Sequence, residues 1–125
     1  LFWHEGQLRA FAGHYGAAIP LMQASRQPVD RDLAGWNPYV EATVAFLRHD
    51  RSALAAAKKK LDALPPAPEL PPIKNGYIEM AAQDGQTMRM RWPPNADVVD
   101  GLMHCIDRSY VEAYGPSCRA ISAGH

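Results

Sequence analysis

Five prolines fall within eight positions, Pro65, Pro66, Pro68, Pro71 and Pro72, and they divide the chain. Each ring removes a backbone donor and clashes with the preceding turn, so no helix can run through them. Residues 65–76 therefore predict an extended connector along the surface. Residues 1–64 before it are rich in Ala and Leu and carry helical periodicity. Residues 77–125 after it change character. With 125 residues the chain is long enough for one domain and short for two, so the three parts read as a single domain.

The first part repeats itself. Trp3, Gly6, Leu8, Ala10, Phe11, Ala17 and Ala18 are followed 36 positions later by Tyr39, Ala42, Val44, Phe46, Leu47, Ala53 and Leu54. At most of these pairs aromatic meets aromatic, small meets small and aliphatic meets aliphatic. The breaks coincide as well, with Gly13-His14 against His49-Asp50. A period near 36 predicts stacked helical hairpins.

Local signals give the boundaries. A first helix is expected from Phe2 to Ala12 and a second from about Gly16 to Arg26, with Pro20 a kink unless it lies in the first turn. Gln27-Pro28 marks the exit, and 29–36 link to the next pair. Asn37 as N-cap and Pro38 at the first helical position predict the third helix. Its residues Tyr39, Val40, Thr43, Val44, Phe46 and Leu47 form a face broad enough to pack on two sides. Asp50 caps a fourth helix with Leu54, Ala57, Leu61 and Leu64 on one stripe. Lys58, Lys59 and Lys60 late in that helix suit the negative end of its dipole. They read as a solvated face or as a patch for an acidic partner.

The stretch Gly13-His14-Tyr15-Gly16-Ala17-Ala18-Ile19-Pro20-Leu21 resembles the inter-helix turn and second-helix start of a tetratricopeptide repeat. Gly6 and Ala18 stand near the family's small positions, and Ala42 keeps the first of them in the second copy. There Leu54 and Arg51 depart from the pattern. The resemblance covers residues 1–64 in two copies. It implies a concave surface that binds a peptide or partner protein, with Trp3, Gln7, Tyr39 and Thr43 facing it. The alternative is that Trp3 and Tyr39 belong to the core. Two repeats alone are marginal, so the remaining segment is expected to cap the stack or to supply a dimer contact.

In the third part, Asp84-Gly85 predicts a two-residue hairpin turn pairing Tyr77 with Trp92, Glu79 with Met90 and Ala81 with Met88. Tyr77, Ala81, Met88, Met90 and Trp92 would then share one face, and Arg89 and Arg91 would join Ile78 and Met80 on the other. A short helix over 78–82 is the alternative. Asn95 or Asp97 then caps a C-terminal helix through Val98, Val99, Leu102, Met103, Ile106 and Tyr110, extending to Tyr114 before Gly115-Pro116 stops it. That helix would close the open end of the stack, and the chain after Cys118 is expected to fray. The fold class is thus mainly α: two stacked antiparallel helical hairpins, a Pro-rich connector, a β-hairpin and a C-terminal helix.

Composition bounds function. Lys plus Arg and Asp plus Glu number 13 each, so a nucleic-acid or anionic-membrane footprint is not expected. No apolar run approaches the roughly 18 residues of a membrane span. Of His4, His14, His49, His104 and His125, no two stand four apart as helical zinc ligands do, and no metal or cofactor is expected. There is no glycine-rich phosphate loop or nucleophile elbow. The carboxylates Glu5, Glu41, Asp97 and Asp100 share no catalytic spacing. Cys105 and Cys118 allow one disulfide, for which Gly115-Pro116 could turn the chain back, or two unrelated thiols. A disulfide would place the chain in an oxidising compartment, periplasmic or secreted. The chain starts at Leu1, without Met, so it reads as a mature form, a fragment or a trimmed chain.

The reading that follows is a non-enzymatic adaptor for a protein or peptide. One alternative is an exported ligand-binding protein or enzyme, with Arg89, Arg91, His104 and Tyr110 around a pocket between the stack and the hairpin. Another is a structural subunit whose repeat face is a homo-oligomer contact.

Overall fold

The computed structural model describes residues 1–32, 34–66, 70–81 and 83–123. Leu33 of the link, Pro68 of the connector, Ala82 at the end of the alternative helix, and His125 lie outside the described residues.

Four helices form two antiparallel pairs: α1 (Phe2–Phe11) with α2 (Tyr15–Ala24), and α3 (Trp36–Leu47) with α4 (Arg51–Asp62). The second pair stacks on the first through α2 and α3. Both pairs turn in the same way. Gly13 and His49, 36 residues apart, both take positive φ. His14 N–H donates to Arg9 O and Gly13 N–H to Ala10 O; Asp50 N–H donates to Ala45 O and His49 N–H to Phe46 O. This two-bond closure satisfies the last carbonyls of each helix and fixes the angle at which the next one leaves. Asp50 caps α4 as expected, accepting from Ala53 N–H at 3.0 Å.

The start of α3 differs from the expectation. The helix begins at Trp36, and Asn37 is not its cap. Asp32 caps it from four residues upstream, accepting from Trp36 N–H at 2.7 Å and Asn37 N–H at 2.9 Å. Asn37 is buried instead and clasps the incoming loop. Its amide donates to Gln27 O and its carbonyl accepts from Gln27 N–H, both at 2.8 Å. Pro20 lies at the sixth residue of α2, inside the helix.

After the connector, β1 (Tyr77–Ala81) and β2 (Thr87–Arg91) form an antiparallel hairpin. The register is displaced by one residue from the expected one: Tyr77 opposes Arg91, Glu79 opposes Arg89 and Ala81 opposes Thr87. A longer turn causes this. The first strand ends at Ala81 and the second begins at Thr87, with Asp84 Oδ1 accepting from Gln86 N–H and Gly85 at positive φ between them. A one-residue slip changes which side chains share a face. Arg89 and Arg91 therefore stand with Tyr77 and Glu79, while Ile78 and Met80 stand with Met88 and Met90. Trp92 fastens the hairpin to the stack, its indole N–H donating to Leu64 O at 3.0 Å.

The single helix expected up to Tyr114 is two, α5 (Ala96–His104) and α6 (Tyr110–Tyr114), and a further helix, α7 (Pro116–Ala123), follows it. The chain turns at Cys105 and restarts at Ser109, whose hydroxyl accepts from Glu112 N–H. Pro116 opens α7 rather than ending a helix, a position where its missing donor costs nothing. The chain does not end its helix after Cys118, since α7 continues to Ala123. Cys105 and Cys118 form a disulfide with their Cα atoms 6.2 Å apart, and both are buried. Helix α5 packs on α3 and α4, and α6 returns to α1. The tail thus covers the face that α3 would otherwise expose. Among the described residues no helix is long and apolar enough to cross a membrane.

Candidate functional site: an aromatic cleft beside α1 and α3

The 36-residue repeat sets Trp3 on α1 beside Tyr39 on α3, because both helices present the same face. Trp36, one turn before Tyr39, joins them. The ring centroids lie 5.0 Å apart for Trp3–Trp36, 5.1 Å for Trp3–Tyr39 and 5.5 Å for Trp36–Tyr39. Edge and tilted contacts at these distances are the favourable ones for aromatic quadrupoles.

This cluster forms the floor of an open cleft of about 670 Å³. Phe2, Gln7, Tyr114 and Asn95 complete much of its wall, with Ser25, Arg26 and Gln27 along the loop side. No Asp or Glu lines it among the described residues. Trp36 Nε1 donates to Ser25 O, but Trp3 Nε1 and the Tyr39 hydroxyl have no partner among the described residues. No described buried side-chain nitrogen or oxygen lacks a hydrogen bond, so these two atoms reach solvent in the cleft. The site thus joins the exposed edges of an aromatic cluster to two hydrogen-bonding groups on residues that are mostly buried. Burial pushes the Tyr39 hydroxyl far above its usual range, aided by neighbouring Tyr110 and Tyr114, so at neutral pH it is a neutral donor.

Three of the four residues expected at the partner surface, Trp3, Gln7 and Tyr39, line this one cleft. Most of Trp3 and Tyr39 is nonetheless buried, at 8% and 3% exposure, so each serves the core and the cleft together. Thr43 does not reach the surface. It is fully buried, and its hydroxyl donates back to Tyr39 O at 3.1 Å. Trp36 and Tyr114 were not singled out from the sequence. The signal for Trp36 was its i, i+3 spacing to Tyr39, which puts both on one helical face.

The second expected set, Arg89, Arg91, His104 and Tyr110, is not brought together. Tyr110 is fully buried; its hydroxyl accepts from Gln7 Nε2 and its N–H donates to the Tyr15 hydroxyl. His104 ends α5, with Nδ1 2.8 Å from Asp100 O. It stands seven residues along α5 from Asp97, about 10 Å at the helical rise, whereas Arg91 lies near Asp97. Arg89 sits over the Tyr77 ring at 4.2 Å with Glu79 at 3.8 Å. Only Arg91 opens into a cavity between the hairpin and the tail. Its other walls are Tyr77, Asp97, Tyr114, Gly115, Pro116 and Arg119, and its volume is about 450 Å³.

The three lysines of α4 are divided. Lys58 bridges Asp62 and Asp100, Lys60 reaches Glu41, and Lys59 is exposed. Among the described residues no group of three or more His, Cys, Asp or Glu side chains could share a metal ion. Compared with known proteins, the chain matches no family model, no curated protein and no solved structure.

Proposed function

We propose that the protein is a non-enzymatic adaptor that binds a peptide segment of a partner protein in the aromatic cleft, as the tetratricopeptide-like pattern of its first half implies. The observation that carries this reading is the composition of the cleft. The half-buried Trp36 and Tyr114 rings and the small exposed edges of Trp3 and Tyr39 offer apolar contact, while the Trp3 indole N–H and the Tyr39 hydroxyl stand without an intramolecular partner among the described residues. A peptide supplies what such a site lacks, an apolar side chain for the rings and backbone carbonyls for the donors. The buried disulfide is compatible with an oxidising compartment, and we place the adaptor's function there.

Selection of random displayed peptides on the intact protein tests the reading. Enriched peptides should shift the indole N–H signals of Trp3 and Trp36. The Tyr39→Phe variant removes one hydrogen bond without emptying the core and should weaken binding about fivefold. Failure to enrich any peptide would sink the adaptor. So would enriched peptides that leave both indoles unmoved, and a two-fold dimer that buries the cleft in solution would replace the adaptor by the oligomer reading.

A further inference from the structure

The cavity between the hairpin and the tail is lined by charged side chains. Two guanidinium groups, Arg91 and Arg119, face it with a single carboxylate, Asp97. Arg119 is held in place: its Nε donates to Tyr114 O at 2.9 Å, and its guanidinium lies 4.5 Å above the Tyr114 ring. Asp97 approaches Arg119 only to 3.8 Å, longer than a charge-assisted hydrogen bond. Arg91 lies 5.4 Å over the Tyr77 ring and has no carboxylate at ion-pair distance among the described residues. Elsewhere Arg26 and Lys60 share Glu41, Arg9 has Glu5 and Lys58 has two carboxylates, whereas Arg31, Arg48, Lys59, Lys74 and Arg108 make no ion pair among the described residues. Within the cavity the two guanidiniums outnumber the one carboxylate.

The cavity also adjoins the cleft. Tyr114 lines both, and Asn95 of the cleft is two residues from Asp97 of the cavity. The Tyr39 hydroxyl in the cleft feels the charges of Arg119 and Asp97. One surface thus runs from the aromatic, carboxylate-free cleft to the cavity of Arg91 and Arg119, with Tyr114 at the junction.

We infer that the bound segment is acidic: it places an apolar side chain in the aromatic cleft and a neighbouring Asp or Glu carboxylate between Arg91 and Arg119. This rests on the peptide-binding reading above and adds the chemistry of the partner. A carboxylate suits two guanidiniums, since each oxygen can accept from a separate fork. The Tyr114 ring and carbonyl keep Arg119 oriented before the partner arrives, while Arg91 lies 5.4 Å from the Tyr77 ring on which Arg89 stacks more closely.

The same peptide selection separates the two ideas. Enriched sequences are expected to carry Asp or Glu beside an aromatic or aliphatic residue. Changing that acid to its amide should weaken binding about tenfold on the wild type and very little on Arg91→Gln. Arg91→Lys should restore part of the loss. Affinity for the acidic peptide should also fall with added salt, whereas that of its amide form should not. Enriched peptides without acidic preference would overturn the inference and leave the peptide-binding cleft standing. So would inorganic phosphate or acetate shifting the Arg91 and Arg119 Nε–H signals while the enriched peptides do not, which would make the cavity a small-anion site. No enriched peptide at all would remove both. The acid-to-amide change is made in the peptide, so it decides the matter even where an arginine variant folds poorly.

Discussion

The two helical pairs share a backbone and differ in their surroundings. Helix α3 is covered on nearly every side, by α2, α4 and α5, whereas α1 packs on α2 and α6, meets α3 through Trp3, and leaves one face open. Val44 is 5% exposed, and its counterpart Leu8 is 68% exposed. The turns diverge too. Gly13 takes its positive φ without strain, while His49 takes it with a side chain that stacks on Phe46. Asp50 caps α4, but His14 offers α2 no side-chain bond. A shared size pattern therefore encodes the geometry of a repeat, and the place of each copy in the stack decides what that pattern is worth.

Alkali should break the comparison most. Trp3 has no ionisable group, but its counterpart Tyr39 does, and burial raises both Tyr39 and Tyr110 above the usual phenol range. A folded-state pKa above the unfolded one gives stability that is complete below about 10 and is lost as pH rises further. The fold should therefore unfold in alkali, with these two phenolates appearing only as helical signal disappears. Tyr39→Phe should move that midpoint upward. Phenolate absorbance from both groups with helicity intact would contradict the account.

Core truncation comes next. Phe46→Ala should cost about 4 kcal/mol in a denaturant melt, whereas Leu8→Ala on the open face of α1 should stay within about 0.5 kcal/mol. Similar losses at the two positions would mean that α1 is as enclosed as α3. The paired turns give a smaller effect of opposite signs. Gly13→Ala should destabilise by about 1–2 kcal/mol, and His49→Gly should stabilise by less than about 1 kcal/mol, because relief of the left-handed backbone is offset by loss of the ring contact. The caps come last: Asp50→Ala should cost about 1 kcal/mol, and His14→Ala nothing measurable.

The stack was legible because its determinants are local and occur twice. Bulky and small residues recur at one period, and each turn closes within six residues. The cleft was half legible for the same reason. Trp3, Gln7 and Tyr39 follow from the repeat, but Tyr114 and Arg119 arrive from a tail that has no second copy. There the sequence misleads. Val98 to Tyr110 keeps a helical period, yet the chain turns at Cys105, which is tied to Cys118, and restarts at Ser109 as a second short helix. The hairpin register depended on loop length, which Asp84-Gly85 alone does not specify. Asn75 and Gly76, both at positive φ, turn the chain just before β1, with Lys74 and Tyr77 exchanging hydrogen bonds across them. That Asn-Gly pair was the clearer signal of where the strand begins.

The return of α6 to the first pair changes how the molecule comes apart. A plain array of repeats touches only its neighbours, so it can fray from either end while the middle persists. Here Gln7 and Tyr15 hold Tyr110 across 103 and 95 positions, and Phe11 packs on Tyr110 and Tyr114. First and last segments close a circle, with a covalent ring inside its final arc. Peeling either terminus away breaks the other's contacts as well. Amide exchange should report one cooperative unit instead of a gradient along the array.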